Sequence, residues 1–469
     1  MSKRRRDHES ESIASDKAGS LPIQIGLIGA LGDMARLYIG VWLAQTGATG
    51  RAAFHIHACD HPSKYDDLVK IYAPHIDSGM LTAHRDGHAV SRASDVIIYS
   101  VESSNIVACI KAYAPSTKLG AIVAGQTSVK AQEIRAFEEF MPSDVSIISL
   151  HSMHGPSVSP KGQPLVLLPH RVTVASHLDL MHKVVDPFES KILQLSWKEH
   201  DDITADTQAV THVAFLSMGA AWSTVGVYPW LSDTYKGTLV EEVKVTIAMR
   251  IYFAKWHVYA GLAVLNESAR DQIRQFAKSA KELFELMIQE KEQEFTDRVM
   301  AAAKAVFGNY QTPLLRGLNE EDDDRLEEVN VDAENLSSPS SRKLSKPNSH
   351  LSIFAIVDSW YQTKTNPFDH LSLLGTPPFR LWLGISQHVF ITPHLLNQSI
   401  KAALFDRSIR MDDLNFVLAV TEWSAVIGVG SFDGYREKFE GVRTFFEAQK
   451  ESLEWRKRSD QLIQNLGIA

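Results

Sequence analysis

Three short polar motifs hold residue types that could do chemistry: Ser100-Val-Glu102-Ser-Ser-Asn105, Gly125-Gln-Thr127-Ser128-Val-Lys130 and His151-Ser152-Met-His154-Gly155-Pro156. Each directly follows a run of residues that reads as a strand. In an open α/β sheet the carboxyl ends of the strands border the ligand crevice, so the three motifs would share one edge. An imidazole titrates near neutral pH and can take a proton from a substrate hydroxyl. A turn makes no structural demand for imidazole, which marks His151 as a candidate base. Ser103 and Ser104 read more simply as turn formers or helix caps.

Nucleotide binding is suggested further upstream. The run Ile23 to Ile28 leads into Gly26-Leu-Ile-Gly29-Ala30-Leu31-Gly32-Asp33-Met34-Ala35, and a helix-like stretch continues through Ala44. Glycines tighten such a turn and let a pyrophosphate approach backbone amides at the positive end of the helix. The motif departs from G-x-G-x-x-G: one extra residue separates Gly29 from Gly32, and Ala35 stands where the third glycine is expected. Asp60, in His57-Ala-Cys-Asp60-His61-Pro62-Ser63-Lys64, is placed to hold an adenosine ribose, which leans towards NAD. His61, Ser63 and Lys64 beside it suit a 2′-phosphate, and Asp60 could instead cap the helix from Tyr65. The candidate nucleotide-contacting set is Gly29, Ala30, Leu31, Gly32, Asp33, Met34, Asp60, Ser100, Val101 and Glu102.

The elements that must position these residues alternate in period. Strand-like runs at Ile23 to Ile28, Ala53 to Ala58, Val96 to Val101, Gly120 to Ala124, Val145 to Leu150 and Pro164 to Leu168 are separated by helix-like stretches. That predicts βαβ units and a mostly parallel sheet over residues 21–190. Beyond about Leu193 apolar residues recur at three and four positions, which predicts an almost wholly helical domain over 191–469. There, His200, Thr204, Gln208 and His212 repeat every four residues and would form one polar stripe, facing solvent or lining a cleft. Val213, Phe215, Leu216, Met218 and Trp222 read as core beside it. No His-Glu-x-x-His pattern accompanies the stripe, so no metal is expected. A helix predicted over Val243 to Leu265 would carry Arg250 and His257 on one face amid apolar residues. Burying an unpaired guanidinium is costly, so Arg250 needs an anionic partner, either a protein carboxylate or a substrate one.

Composition narrows the function class. The chain has 469 residues with 48 basic and 56 acidic side chains, a net charge of −8, which argues against a nucleic-acid partner. Residues 1–20 are polar and read as a disordered tail. Residues 317–348 are acidic, then Ser/Pro-rich, and read as a mobile insertion; its first half, 320–334, carries nine acidic residues against one arginine, a balance equal to the net charge of the whole chain. The two cysteines, Cys59 and Cys109, lie in apolar runs, which predicts reduced thiols and a cytoplasmic setting. No apolar stretch reaches the roughly 18 residues of a membrane span.

Gly29-Ala-Leu-Gly32-Asp-Met-Ala35, Ile98-Tyr-Ser-Val-Glu102, Gly125-Gln-Thr-Ser-Val-Lys130, His151-Ser-Met-His-Gly-Pro156, His200-Asp201, Ile203-Thr-Ala-Asp-Thr-Gln-Ala-Val-Thr-His212 and Lys255-Trp-His-Val-Tyr-Ala-Gly261 together resemble the prephenate dehydrogenases, specifically their fungal branch. The similarity runs from about Ile23 to Glu447, interrupted by the acidic insertion. It implies an α/β Rossmann-like N-terminal domain with a mostly parallel sheet, followed by an all-α C-terminal dimerisation domain. It also implies a homodimer that oxidatively decarboxylates prephenate to 4-hydroxyphenylpyruvate in tyrosine biosynthesis, with NADP, or alternatively NAD, as hydride acceptor. By the same resemblance His151 accepts the proton of the ring hydroxyl, Ser128 orients that imidazole and Arg250 clamps a substrate carboxylate. Lys130, Gln208 and His212 match positions around the pocket. Elementary chemistry agrees, since such a reaction needs a neutral base and aligned hydride donor and acceptor, but no metal and no covalent nucleophile. The rivals are an arogenate dehydrogenase, a β-hydroxyacid dehydrogenase and a redox-sensing protein that binds a dinucleotide without turnover.

Overall fold

A computed structural model describes residues 21–45, 52–231, 239–315 and 348–449. The expected tail at 1–20 lies outside these residues, as does nearly all of the expected insertion. Two compact units divide the chain after Trp197. The expected boundary at 190/191 would have cut off the last strand of the first unit, so the structure moves it seven residues on.

The first unit is built on eight strands: β1 (Ile23–Ile28), β2 (Phe54–Cys59), β3 (Leu81–Ala83), β4 (Val96–Tyr99), β5 (Ile122–Gly125), β6 (Ser146–Ser152), β7 (Pro164–Arg171) and β8 (Lys191–Gln194). Their order in the sheet is β3-β2-β1-β4-β5-β6-β7-β8. Every neighbouring pair is parallel except β6 and β7, in which His151 faces Val166. Interior strands read as continuous apolar runs because both faces are covered. Ile25, Leu27, Ile98, Ala124 and Leu150 feed one core, while Ile28, Ile97, Tyr99, Val123 and Ile147 feed the other. The helices over these faces are α1 (Asp33–Leu43), α2 (Tyr65–Asp77), α3 (Gly87–Ala93), α4 (Ile106–Tyr113), α5 (Lys130–Phe140) and α6 (Ser176–Val185). The chain leaves β1 on one side and β4 on the other, which makes the β1/β4 pair the switch point where an open sheet parts its loops.

The second unit is helical throughout its described residues: α7 (Trp197–Thr204), α8 (Thr211–Val225), α9 (Leu239–Tyr252), α10 (His257–Leu265), α11 (Glu267–Ile288), α12 (Glu292–Phe307), α13 (Leu351–Thr363), α14 (Pro367–Leu374), α15 (Pro377–Ile391), α16 (Pro393–Phe405), α17 (Arg410–Val429) and α18 (Phe432–Glu447). Val213, Phe215, Leu216, Met218 and Trp222 are buried as expected. Two expectations fail. The single helix predicted over Val243 to Leu265 is broken at 253–256 into α9 and α10, so Arg250 and His257 share no helix face. The continuous helix predicted through His200 and His212 is interrupted by a π-helical turn at Ala205–Val210.

Candidate functional site

The glycine turn folds by using its own amides. Gly29 N and Ala30 N both donate to Cys59 O at 2.9 Å, and Gly32 N donates to Gly29 O at 3.2 Å. Gly29 has a φ of +91°, and a Cβ there would lie 2.2 Å from Ser100 O, so only glycine lets β1 and β4 close at this point. Leu31 N donates to Asp60 Oδ2 at 2.9 Å, and His61 N donates to Asp60 Oδ1 at 2.8 Å. Asp60 therefore clasps the turn to the end of β2, and the cap of the following short 3-10 turn is His61, not Asp60. With these amides engaged, the turn presents the uncapped N-terminus of α1, at Met34 and Ala35, to an anion. The extra residue in the motif thus moves the offered amides from the glycines onto the helix.

An open cleft of about 540 Å³ borders this turn, lined by Gly29, Gly32, Asp60, Ser100, Val101 and Glu102 of the expected set, with His61 and Lys64 at its rim. Asp33 is exposed as the first residue of α1, and Leu31 and Met34 are half-buried beside it. Ala30 is the exception: it is buried, and its carbonyl accepts from Tyr72 Oη at 3.3 Å, which corrects its assignment as a direct nucleotide contact through its side chain. Neither Ser103 nor Ser104 caps α4, whose N-cap position is Asn105. Burial pushes the Cys59 thiol up to about 12 and raises that of Cys109, so both are unreactive free thiols.

At the sheet edge His151 is 8% exposed and belongs to β6 itself, which runs two residues beyond the predicted strand. Strand alternation puts Ser149 and His151 on the α5 face, and Ser152 on the other, where its hydroxyl meets Tyr38 Oη at 2.6 Å. Beneath His151 is a sealed ionic network. Lys130 and Glu133, both fully buried, pair at 3.0 Å. Lys130 Nζ also donates to Gly125 O at 3.0 Å, Ser149 Oγ at 3.2 Å and Leu150 O at 2.8 Å. Glu133 accepts from Thr127 Oγ1 at 2.6 Å and from Ser149 Oγ. Gly125 is required here because its missing Cβ would fall 2.1 Å from the Glu133 carboxylate. This corrects Lys130 as a residue of the substrate pocket: its ammonium braces β5 and the Leu150 carbonyl next to His151. Ser128 is half-buried in the loop between β5 and α5. The Gln126 amide in the same loop lies beside Tyr38 without reaching hydrogen-bonding geometry with any described residue.

In the helical unit the expected stripe splits. His200 and Thr204 are buried, with His200 Nδ1 2.8 Å from Asp201 Oδ1, while Gln208 and His212 are half-buried. An i→i+5 turn holds one more residue than an α-turn and rotates the succeeding helix by roughly 100°. The His212 ring packs edge-on against Tyr259 with centroids 4.6 Å apart. Its Nδ1 is buried without a hydrogen-bond partner among the described residues, and burial pushes the imidazole down to about 3. Burial also pushes the Tyr259 hydroxyl up to about 12, opposed by the nearby Arg250 charge. Arg250 is exposed in the last turn of α9, so the expectation of a buried guanidinium is corrected; a cation at this end is favoured by the helix dipole. Spacing alone did not single out Tyr259, Glu133 or Ser149, although a lysine and a glutamate three residues apart on a helix are a readable pair.

Two family models match: the prephenate dehydrogenase nucleotide-binding domain over residues 76–194, and the 6-phosphogluconate dehydrogenase C-terminal domain over residues 209–467. A protein of Saccharomyces cerevisiae named prephenate dehydrogenase [NADP(+)] is 47% identical over 426 residues, which is 90% of each chain. The chain belongs to the prephenate dehydrogenase family. A probable prephenate dehydrogenase [NADP(+)] of Schizosaccharomyces pombe is 44% identical over 91% of this chain and 94% of its own. Among solved structures, a family member from A. aeolicus, crystallised with hydroxyphenyl propionate and NAD+, is 19% identical with a TM-score of 0.44, covering 60% of this chain and 96% of that one.

Proposed function

We propose that this family member is an NADP-dependent prephenate dehydrogenase that oxidatively decarboxylates prephenate to 4-hydroxyphenylpyruvate. The observation that carries the reading is His151, a nearly buried imidazole at the carboxyl end of β6, on a strand braced by Lys130 and on the edge that carries the glycine turn. His151 accepts the proton of the ring hydroxyl, electrons move onto the carbon that gives up hydride, and the ring carboxylate leaves as carbon dioxide while the ring becomes aromatic. Ser128 orients the imidazole. Arg250 holds a substrate carboxylate through a guanidinium fork, and Gln208 and His212 complete the substrate contacts. His212 stays neutral throughout the physiological range and serves as a polar contact without adding charge.

Bound NADP supplies the hydride acceptor. The first unit suits it: the Gly29 turn, the uncapped start of α1 and the unpartnered Gln126 amide offer donors. Both Asp60 oxygens are engaged by backbone amides, which leaves exposed His61, Ser63 and Lys64 to receive a 2′-phosphate. A homodimer is supported by α17, whose exposed Met411, Leu418 and Val429 fall on one stripe. Two free thiols are compatible with the cytoplasm, and no helix among the described residues is long and apolar enough to cross a membrane.

The test is a steady-state assay with prephenate or arogenate and each nucleotide, following reduced cofactor. Turnover with prephenate and NADP is expected. His151→Asn should lower kcat by about 10² to 10⁴ with nucleotide binding retained. An unchanged kcat removes His151 from the mechanism, and turnover of arogenate alone overturns the substrate.

A further inference from the structure

The π-helical turn between α7 and α8 is held from far away in sequence. Asp206 is 2% exposed, and both of its carboxylate oxygens are taken up by distant side chains. Trp360 Nε1, on α13, donates to Oδ1 at 2.6 Å, and His370 Nδ1, on α14, lies 3.0 Å from Oδ2. The Asp206 carbonyl in turn accepts from Thr211 Oγ1, at the start of α8, at 3.3 Å. Ala205, Thr207, Ala209 and Val210 are buried around it, so Gln208 alone in the turn keeps part of its side chain accessible.

A buried carboxylate is an expensive way to fill a helix, costing several kcal/mol unless it is fully bonded. Wide helical turns are rare and concentrate at functional sites. If the turn relaxed to ordinary α geometry, Gln208 and His212 would swing by roughly 100° relative to α7. The carboxylate ties the turn to two other helices and prevents that rotation.

We infer that Asp206, clamped by Trp360 and His370, is a positioning residue that fixes the π-turn and thereby aims Gln208 and His212 at the substrate. The inference rests on the proposed substrate role of those two residues. Asp206 does not itself touch substrate. Its effect appears in how well the substrate is held, because nucleotide contacts come from the other unit.

The experiment compares the full-length parent with Asp206→Asn, Trp360→Phe and His370→Gln. KM and kcat are measured for prephenate and for NADP, and amide hydrogen exchange is followed over residues 205–212. Asp206→Asn should raise the prephenate KM tenfold or more, with kcat within threefold and the NADP KM unchanged, and should speed exchange in the turn. Trp360→Phe keeps the ring and loses only the donor, so it should move in the same direction by about threefold; together with His370→Gln it decides the matter should Asp206→Asn not fold. Faster exchange or a lower melting temperature with an unchanged prephenate KM shows a purely structural clamp and overturns the inference. Exchange in the turn at the parent rate in all three variants overturns it as well. A parent that binds NADP but never turns over prephenate sinks the functional reading instead, and the exchange data still report on the clamp.

Discussion

Lys130 and Arg250 are both cations that the sequence places near substrate, yet they occupy opposite surroundings. Lys130 is sealed inside the first unit on four acceptors, and Arg250 is exposed at the end of a helix in the second. Apolar neighbours in sequence misled in both directions. On a helix, side chains flanking a cation point elsewhere, so an apolar window says little about the cation's own burial. A carboxylate three residues away, with a glycine where its head must lie, says much more. Lys130 shapes the strand that carries His151, whereas Arg250 is accessible to a ligand.

Breaking the first of these should have the largest effect. Lys130→Met leaves Glu133 buried without its partner and should cost about 3–5 kcal/mol in urea denaturation; a loss below 1 kcal/mol would mean that the network is not sealed. Arg250→Gln should leave stability within about 0.5 kcal/mol while raising the prephenate KM by an amount worth about 1.5–3 kcal/mol. A normal KM would show that Arg250 does not hold substrate. The contrast between the units sharpens with acid. His212 in the second unit and His57 in the first are both lowered by burial, to about 3 and about 4. Each stays neutral when folded and gains a proton near pH 6.5 once unfolded. Stability is therefore intact above pH 6.5 and declines as pH falls towards those folded values, by at most about 1.4 kcal/mol per pH unit for each imidazole. His57, partly exposed and bonded to His84 at 3.1 Å, should contribute less than His212. Denaturation at pH 7, 6 and 5 should show a slope that flattens in His212→Gln; an equal slope would contradict the burial of that ring.

Much of the first unit was legible because strands buried on both faces announce themselves as apolar runs; β1 spans the predicted residues. β3 and β8 were not, since Leu81–Ala83 and Lys191–Gln194 are too short to show a period. The nucleotide turn was legible as a motif, but the engagement of Asp60 with the Leu31 amide depends on a fold that brings together residues 29 positions apart. In the helical unit the four-residue repeat at His200 was visible, while the π-turn that splits it depends on Trp360 and His370, more than 150 residues away. Periodicity reports on local faces, and nothing local in Asp206 names its partners.

The reversed direction of β7 has a further consequence. A parallel successor to β6 would have required a crossover to the far end of the sheet, whereas here the chain turns back after Ser152 through residues 153–163 and re-enters at Pro164. The border of the imidazole on that side is therefore a largely solvent-facing loop instead of a packed helix. Lengthening or trimming that loop would alter which molecules reach His151 and leave the strands that hold it undisturbed.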